Sequence, residues 1–284
     1  MARQASAPKG AERRSPTPAA ARKREAIRHL KAAVAEDRLH LLYQPIVTTP
    51  DFRVERVEAL LRWRKSKKEK ETLTELIGSV ERSPVIFKLE NWILDQAFPA
   101  AAGWKGAGLT GVRVNVNLSA REFPRADLVG RVTRRLAAAR LEPGDVGLEI
   151  TETSSMQQFG EVAEQIEELT DEGIELWLDD FGTGHSSLEW LSHLPLHGVK
   201  IPGTFVARLH EEKRCQAIVT RVIGLAHDLG LRVIAEEIET EAQRDFLVER
   251  RCDLLQGFLF HAPMAANALP AALAGNVAPA APSS

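Results

Sequence analysis

Short apolar runs alternate with longer segments of helical spacing along most of the chain, and this alternation restricts the fold more than any other feature. The runs are HLLYQPIV, RVEALLRW, VRVNVNL, VGLEIT, ELWLDD, GVKI, RVIAEE and LQGFLF. EAIRHLKAAVAE precedes the first, and LTELIGSVE and IFKLENWILDQAF follow the second. ADLVGRVTRRLAAARL, GEVAEQIEELTDEG and SSLEWLSHL follow the third, fourth and fifth. CQAIVTRVIGLAHDLG and TEAQRDFLVERR precede the last two, with Gly173 and Gly230 placed as helix stops. Strand and helix in turn argue for parallel α/β architecture. Eight strand candidates favour a (β/α)8 TIM-like barrel over an open doubly wound sheet. No G-x-G-x-x-G follows any run, which counts against a dinucleotide fold.

Glu58 breaks the second run, between Val57 and Ala59-Leu60-Leu61. A buried carboxylate without a partner is costly, so Glu58 needs a reason to be there. Other polar residues repeat the pattern at strand ends: Asn117, Glu149 with Glu152 beyond it, Asp179 and Asp180, Lys200, Glu236 with Glu239 beyond it, and Gln256. Active sites of barrels are built from the C-terminal ends of several strands. Asn115 and Asn117 share a face by parity, as do Glu149 and Thr151. With those faces inward, Asn117, Glu149 and Asp179 meet at one mouth. Several carboxylates at short range ionise together only beside a cation. Their oxygens suit hard divalent ions such as Mg²⁺ or Mn²⁺. The adjacent Asp179 and Asp180 could serve two ions about 3.5–4 Å apart, an arrangement suited to phosphodiester cleavage. Lys200 is placed to neutralise a phosphate or orient water. DDFGTGHSSL adds a glycine-rich loop, with Gly182 and Gly184, directly after the paired aspartates.

Composition excludes several alternatives. The 284 residues fit one barrel, and a net charge of -2 gives no electrostatic signature for DNA or an acidic membrane. Cys215 and Cys252 have neither metal spacing nor a disulfide framework, which fits a reducing bacterial cytoplasm. No apolar run approaches the ~20 residues of a spanning helix, so stable membrane insertion is not expected. Residues 1–25, rich in Arg, Lys, Ala, Ser and Pro, are expected to form a disordered basic arm. Residues 26–264 are expected to form the domain, and the Ala/Pro-biased 265–284 a flexible tail.

YQPIV, VEALLRW, VNLSAREF, LEITET, LDDFGTGHSSL, VKI, VIAEEIET and CDLLQGFLF occur in the order found in EAL domains, and the chain resembles these bacterial cyclic di-GMP phosphodiesterases from about Ala26 to Met264. The triplet that names the family is Glu58-Ala59-Leu60. The resemblance implies a barrel with one antiparallel strand, metal-dependent hydrolysis of cyclic di-GMP to linear pGpG, and frequently a homodimer. It implies metal ligation by Glu58, Asn117, Glu149, Asp179 and Asp180. It gives Glu236 a place beside the metals, Lys200 the orientation or deprotonation of the attacking water, and Glu152 the support of the loop after Asp180. Gln44 and Arg62 would line the ligand groove, with Gln256 and Glu239 as further site positions.

The chain also departs from the family. Pro202 stands where the family reads Asp in K-I-D, Glu237 where it reads Gly in A-E-G, and His185 where an aromatic is usual. The lysine-rich segment RKSKKEKETLTELIGSVERSPVI lacks the usual Pro-Gly turn. The retained acids support an active phosphodiesterase. Pro202 and Glu237 support a second reading, a catalytically weak or inactive domain that serves as a cyclic di-GMP receptor or protein-interaction module. Hydrolysis of another phosphodiester is a third.

Overall fold

A computed structural model describes residues 18–65, 72–80, 83–119, 127–151, 159–183 and 187–278. All eight expected strands form, and they close into one barrel in sequence order. They are β1 (Leu39–Thr48), β2 (Val54–Trp63), β3 (Arg113–Leu118), β4 (Val146–Thr151), β5 (Glu175–Asp179), β6 (Gly198–Ile201), β7 (Arg232–Ala235) and β8 (Leu254–Gln256). β1 runs antiparallel to both β2 and β8, while the remaining neighbours are parallel. The (β/α)8 barrel with one reversed strand is therefore the fold.

Helices wrap the outside: α1 (Pro18–Ala35), α2 (Leu73–Val80), α3 (Val85–Gly106), α4 (Leu128–Ala139), α5 (Phe159–Asp171), α6 (Ser187–His193), α7 (Gly203–Val206), α8 (Lys213–Asp228), α9 (Glu241–Glu249) and α10 (Leu269–Ala272). Their apolar residues recur at helical spacing and face the strands. In α4 these are Leu128, Val132 and Leu136; in α8 they are Cys215, Val219, Ile223 and Ala226. α9 opens on a capping box, in which Gln243 N–H donates to Thr240 Oγ1 and Thr240 N–H to Gln243 Oε1. Gly173 and Gly230, with φ of 86° and 73°, follow α5 and α8 as expected.

The strands are buried on both faces, for opposite reasons. In β3, Val114, Val116 and Leu118 enter the main apolar core, while Asn115 and Asn117 belong to the other face. A separate apolar group of Ile46, Trp177, Ile234 and Leu254, all 0% exposed, lies apart from that core. These four residues share strand parity with the mouth residues and plug the barrel below them. Gly198 makes space for this plug, since a Cβ there would strike the Trp177 ring and lie 2.5 Å from the Arg232 carbonyl oxygen.

A cluster of charges closes the floor. Arg232 donates to both Glu55 oxygens at 2.7 and 2.9 Å. Arg113 lies 3.3 Å from Glu55 and 3.2 Å from Glu175. Arg56 is fully buried, donates to Glu175 at 2.6 Å and lies 4.6 Å above the Trp177 ring. These acids balance the arginines, as buried charges require.

Secondary structure continues past both expected ends of the domain. Residues 18–25, expected to be disordered, belong to α1, because PAAARKRE places good helix formers after a helix-starting proline. The tail is ordered as far as Ala278. Leu269 and Leu273 lie one turn apart and are fully buried, and Val277 pairs with Val54. The N–H of Val54 donates to the Asn276 carbonyl, and the N–H of Ala278 to the Val54 carbonyl, both at 2.8 Å. Apolar residues four apart outweigh the Ala/Pro bias of this segment. Residues 1–17 and 279–284 lie outside the described residues.

Candidate active site

The C-terminal ends of the strands bring the expected polar residues to one mouth. Lys200, from β6, is 0% exposed and sits at its centre. Its Nζ lies 2.7 Å from Glu149 Oε2, 2.7 Å from Glu236 Oε1, 3.3 Å from Glu58 Oε2 and 3.6 Å from Asp179 Oδ1. These acids come from β4, the residue after β7, β2 and β5. No pair of them is adjacent in sequence, so only barrel closure assembles the set.

Glu58 answers the question its position raised. Asn117 Nδ2 donates to its Oε1 at 2.8 Å, and Gln256 Nε2 to its Oε2 at 2.8 Å. Burial opposes its ionisation, but Lys200 and the two amides more than offset that and hold the carboxyl below its usual range. Glu149 goes the other way: burial, then the charge of Glu58, holds it well above the usual range despite Lys200. Burial also lifts Glu236 to about 8, against the opposing pull of Lys200 and with Asp179 and Glu58 adding to the rise. For Lys200 itself, burial disfavours charge, but the four carboxylates prevail and raise it well above its ordinary value.

Asp179, Asp180 and Glu236 each offer an oxygen, and these three atoms lie within 4.8 Å of one another. Asp180 has a left-handed φ of 55°, and its N–H donates to Asp179 Oδ1 at 2.9 Å. Burial, and then the charge of Asp179, raise the Asp180 carboxyl. Glu58, Asn117 and Glu149 face the same mouth but are engaged with Lys200 and with amide groups.

A cavity of about 450 Å³ opens beside these acids, lined among others by Gln44, Glu58, Arg62, Glu239, Gln256 and Phe258. Gln44 accepts from Gln256 at 3.3 Å and donates to the His261 carbonyl at 3.1 Å. Arg62 donates to the Leu61 carbonyl at 2.9 Å and also borders a more apolar cavity of about 310 Å³ beside α2 and α3. Glu239 is exposed on the rim. Glu152, His185 and Gly184 lie outside the described residues.

The two departures from the family lie together. Pro202 is buried and directly precedes α7. Glu237 has φ 54°, and its side chain lies over Gly203, where a Cβ would collide with it. It lines the cavity but is not among the three carboxylates that approach one another. Sequence reasoning missed Asn115, whose Nδ2 donates to Glu149 Oε1 at 2.7 Å. Its shared parity with Asn117 was the available signal. It also missed Phe258, 65% exposed at the cavity edge.

A closed barrel with acids and one lysine gathered at the C-terminal mouth defines the class as a TIM-like barrel with a polar catalytic-type centre. The EAL domain family matches residues 27–263, and the chain belongs to that family. It is 37% identical over 245 residues to the bifunctional diguanylate cyclase/cyclic di-GMP phosphodiesterase MucR of Pseudomonas aeruginosa, covering 86% of this chain and 36% of that protein. It is 37% identical over 240 residues to the cyclic di-GMP phosphodiesterase NbdA of the same organism, covering 84% of this chain and 31% of that protein. The chain thus spans about a third of the length of these curated relatives. The solved structure described as "PaMucR Phosphodiesterase, c-di-GMP complex" superposes with a TM-score of 0.80 at 36% identity, covering 86% of this chain and 99% of that one. Among the described residues, no helix is long and apolar enough to cross a membrane.

Proposed function

We propose that this chain hydrolyses one phosphodiester bond of cyclic di-GMP, giving linear pGpG, with Mg²⁺ or Mn²⁺ held at the barrel mouth. The observation that carries this is the gathering of Asp179, Asp180, Glu236, Glu58, Glu149 and Lys200 beside one open cavity. Relatives named as cyclic di-GMP phosphodiesterases support the choice of substrate.

The residues present fit a hard divalent ion. Asp179, Asp180 and Glu236 supply carboxylate oxygens within 4.8 Å of one another, and Glu58, Asn117 and Glu149 supply further oxygens. The paired Asp179 and Asp180 could serve two neighbouring ions. Such ions lower the pKa of water and offset charge on the leaving oxygen. Lys200 stays charged and acts as a donor, so its task is to orient a water or phosphate oxygen rather than to take a proton. Glu236 belongs to the carboxylate set that would hold the ion, and burial raises its carboxyl while no divalent cation offsets its charge. The guanidinium fork of Arg62 suits a phosphate oxygen, and Gln44, Gln256 and Glu239 offer polar contacts along the groove.

The receptor reading rests on Pro202 and Glu237. Glu237 turns onto Gly203 and stays out of the three-carboxylate set, which favours turnover. A cytoplasmic setting fits the two free, buried cysteines, and a homodimer is the expected assembly, to be tested by sedimentation.

The test is incubation of the purified protein with cyclic di-GMP and Mg²⁺ or Mn²⁺, followed by chromatography. pGpG is expected, and its production is lost in Glu58→Ala. Tight binding without product at high protein concentration would replace the enzyme by the receptor.

A further inference from the structure

We propose that Asn115 and Arg56 are positioning residues for Glu149, fixing it from the barrel floor. The inference rests on the mouth being a hydrolytic centre. Glu149 is 0% exposed, and each of its oxygens has a donor. Lys200 Nζ holds Oε2 at 2.7 Å, and Asn115 Nδ2 holds Oε1 at 2.7 Å. Asn115 is itself fully buried, and its Oδ1 accepts from Arg56 Nη1 at 3.0 Å. That bond settles the orientation of the amide: the oxygen faces the guanidinium, so the NH₂ faces the glutamate.

Arg56 is anchored in turn. Its Nη2 donates to Glu175 at 2.6 Å, and its guanidinium lies 4.6 Å from the Trp177 ring centre. The result is a hydrogen-bonded column, Glu175–Arg56–Asn115–Glu149–Lys200, running up the inside of the barrel. The space for it is built in. Gly147, beside Asn115 in the β3–β4 register, would place a Cβ 2.7 Å from Asn115 Oδ1 and 3.4 Å from Arg56 Nη1. Neither Arg56 nor Asn115 lines the mouth cavity, so neither is placed to touch a substrate there. Their contribution reaches the centre through Glu149.

Partners of this kind, which orient a ligating or catalytic group, are typically worth ~10–100-fold in metal affinity or activity. Asn115→Leu is therefore expected to lower kcat for cyclic di-GMP by about 10–100-fold with KM changed by no more than about twofold. Calorimetric titration without substrate should show Mn²⁺ affinity falling by at least about tenfold. Asn115→Ser keeps a group that donates and accepts, and should retain more of both. Arg56→Met should show a smaller loss of the same kind, and adding it to Asn115→Leu should cost little more, because it acts through Asn115. Arg56→Lys replaces it if Arg56→Met does not fold.

Arg135→Gln is the control. It breaks the Arg135–Asp95 pair between α4 and α3, which shares no partner with the column, so it should keep kcat and Mn²⁺ affinity. Unchanged kcat and Mn²⁺ affinity in folded Asn115→Leu would overturn the proposal while the wild type still hydrolyses cyclic di-GMP. Full additivity of the two substitutions would overturn the route through Asn115. A wild type that binds Mn²⁺ but makes no pGpG overturns the hydrolytic reading alone, since the affinity arm still tests the positioning. A wild type that does neither overturns both.

Discussion

Lys200 Nζ lies 2.7 Å from Glu149 Oε2, and both side chains are fully enclosed by protein. A buried ammonium in contact with carboxylates is self-consistent only as a group, and each member makes the others affordable. This pairing sets what the mouth tolerates.

Lys200→Met removes the ammonium and leaves Glu58, Glu149, Asp179 and Glu236 facing one another. Breaking such a buried pair costs about 3–5 kcal/mol. Urea denaturation should show that loss. Millimolar Mn²⁺ should raise the midpoint more in the variant than in the wild type, because a cation then replaces the lost charge. An unchanged midpoint without metal would contradict the role given to Lys200.

Glu237→Gly tests the backbone at the second departure from the family. A non-glycine residue at φ 54° carries a penalty, and glycine at this position relieves it. The gain is reduced by the greater freedom of glycine in the unfolded chain. A net rise of about 0.5–1 kcal/mol in unfolding free energy is expected. A fall would show that Glu237 makes contacts that outweigh its strain.

The floor makes stability depend on acid. Burial works against ionisation of Glu55, but Arg232, Arg56 and Arg113 prevail and hold its carboxyl at about 2. A depressed carboxyl stabilises the fold above its unfolded value, and that contribution fades as pH falls toward the folded one. The wild type should therefore exceed Glu55→Gln by an amount on the order of 3 kcal/mol near neutrality. The gap should narrow between about pH 5 and pH 2. Paired denaturation curves across that window measure it, and a constant gap would rule the charge out as its source.

Gly198→Ala places a Cβ against the Trp177 ring and the Arg232 carbonyl. The ring is fully enclosed and has nowhere to move. Overpacking of this kind costs about 1–3 kcal/mol or more. Thermal melting should show a clear drop, whereas alanine at Gly224, inside α8 with open space around it, should raise the midpoint, since alanine is the better helix former.

Much of the architecture was legible because strands buried on both faces leave long apolar runs, and the helices between them keep their period. The mouth was legible for the same reason in reverse. Glu58, Asn117, Glu149 and Asp179 stand out because they interrupt such runs or end them. What stayed hidden depends on distances across the barrel. Nothing near Lys200 in the chain says that four carboxylates will surround it. Arg56 reads as an ordinary strand charge until Asn115 and Glu175 are brought to it from elsewhere. The contacts of the tail were hard to read because its Ala/Pro composition obscures the spacing of Leu269, Leu273 and Val277.

The pairing of β1 with β8 has a consequence for the order of events in a growing chain. Glu58 emerges from the ribosome long before Lys200 and Gln256 are made. Until then its carboxylate lacks the ammonium and one of the two amides that hold it. A product that stops short of β8 would already carry most of the acids of the mouth, yet would lack the closure that gathers them. The centre thus cannot assemble before β8 has been made.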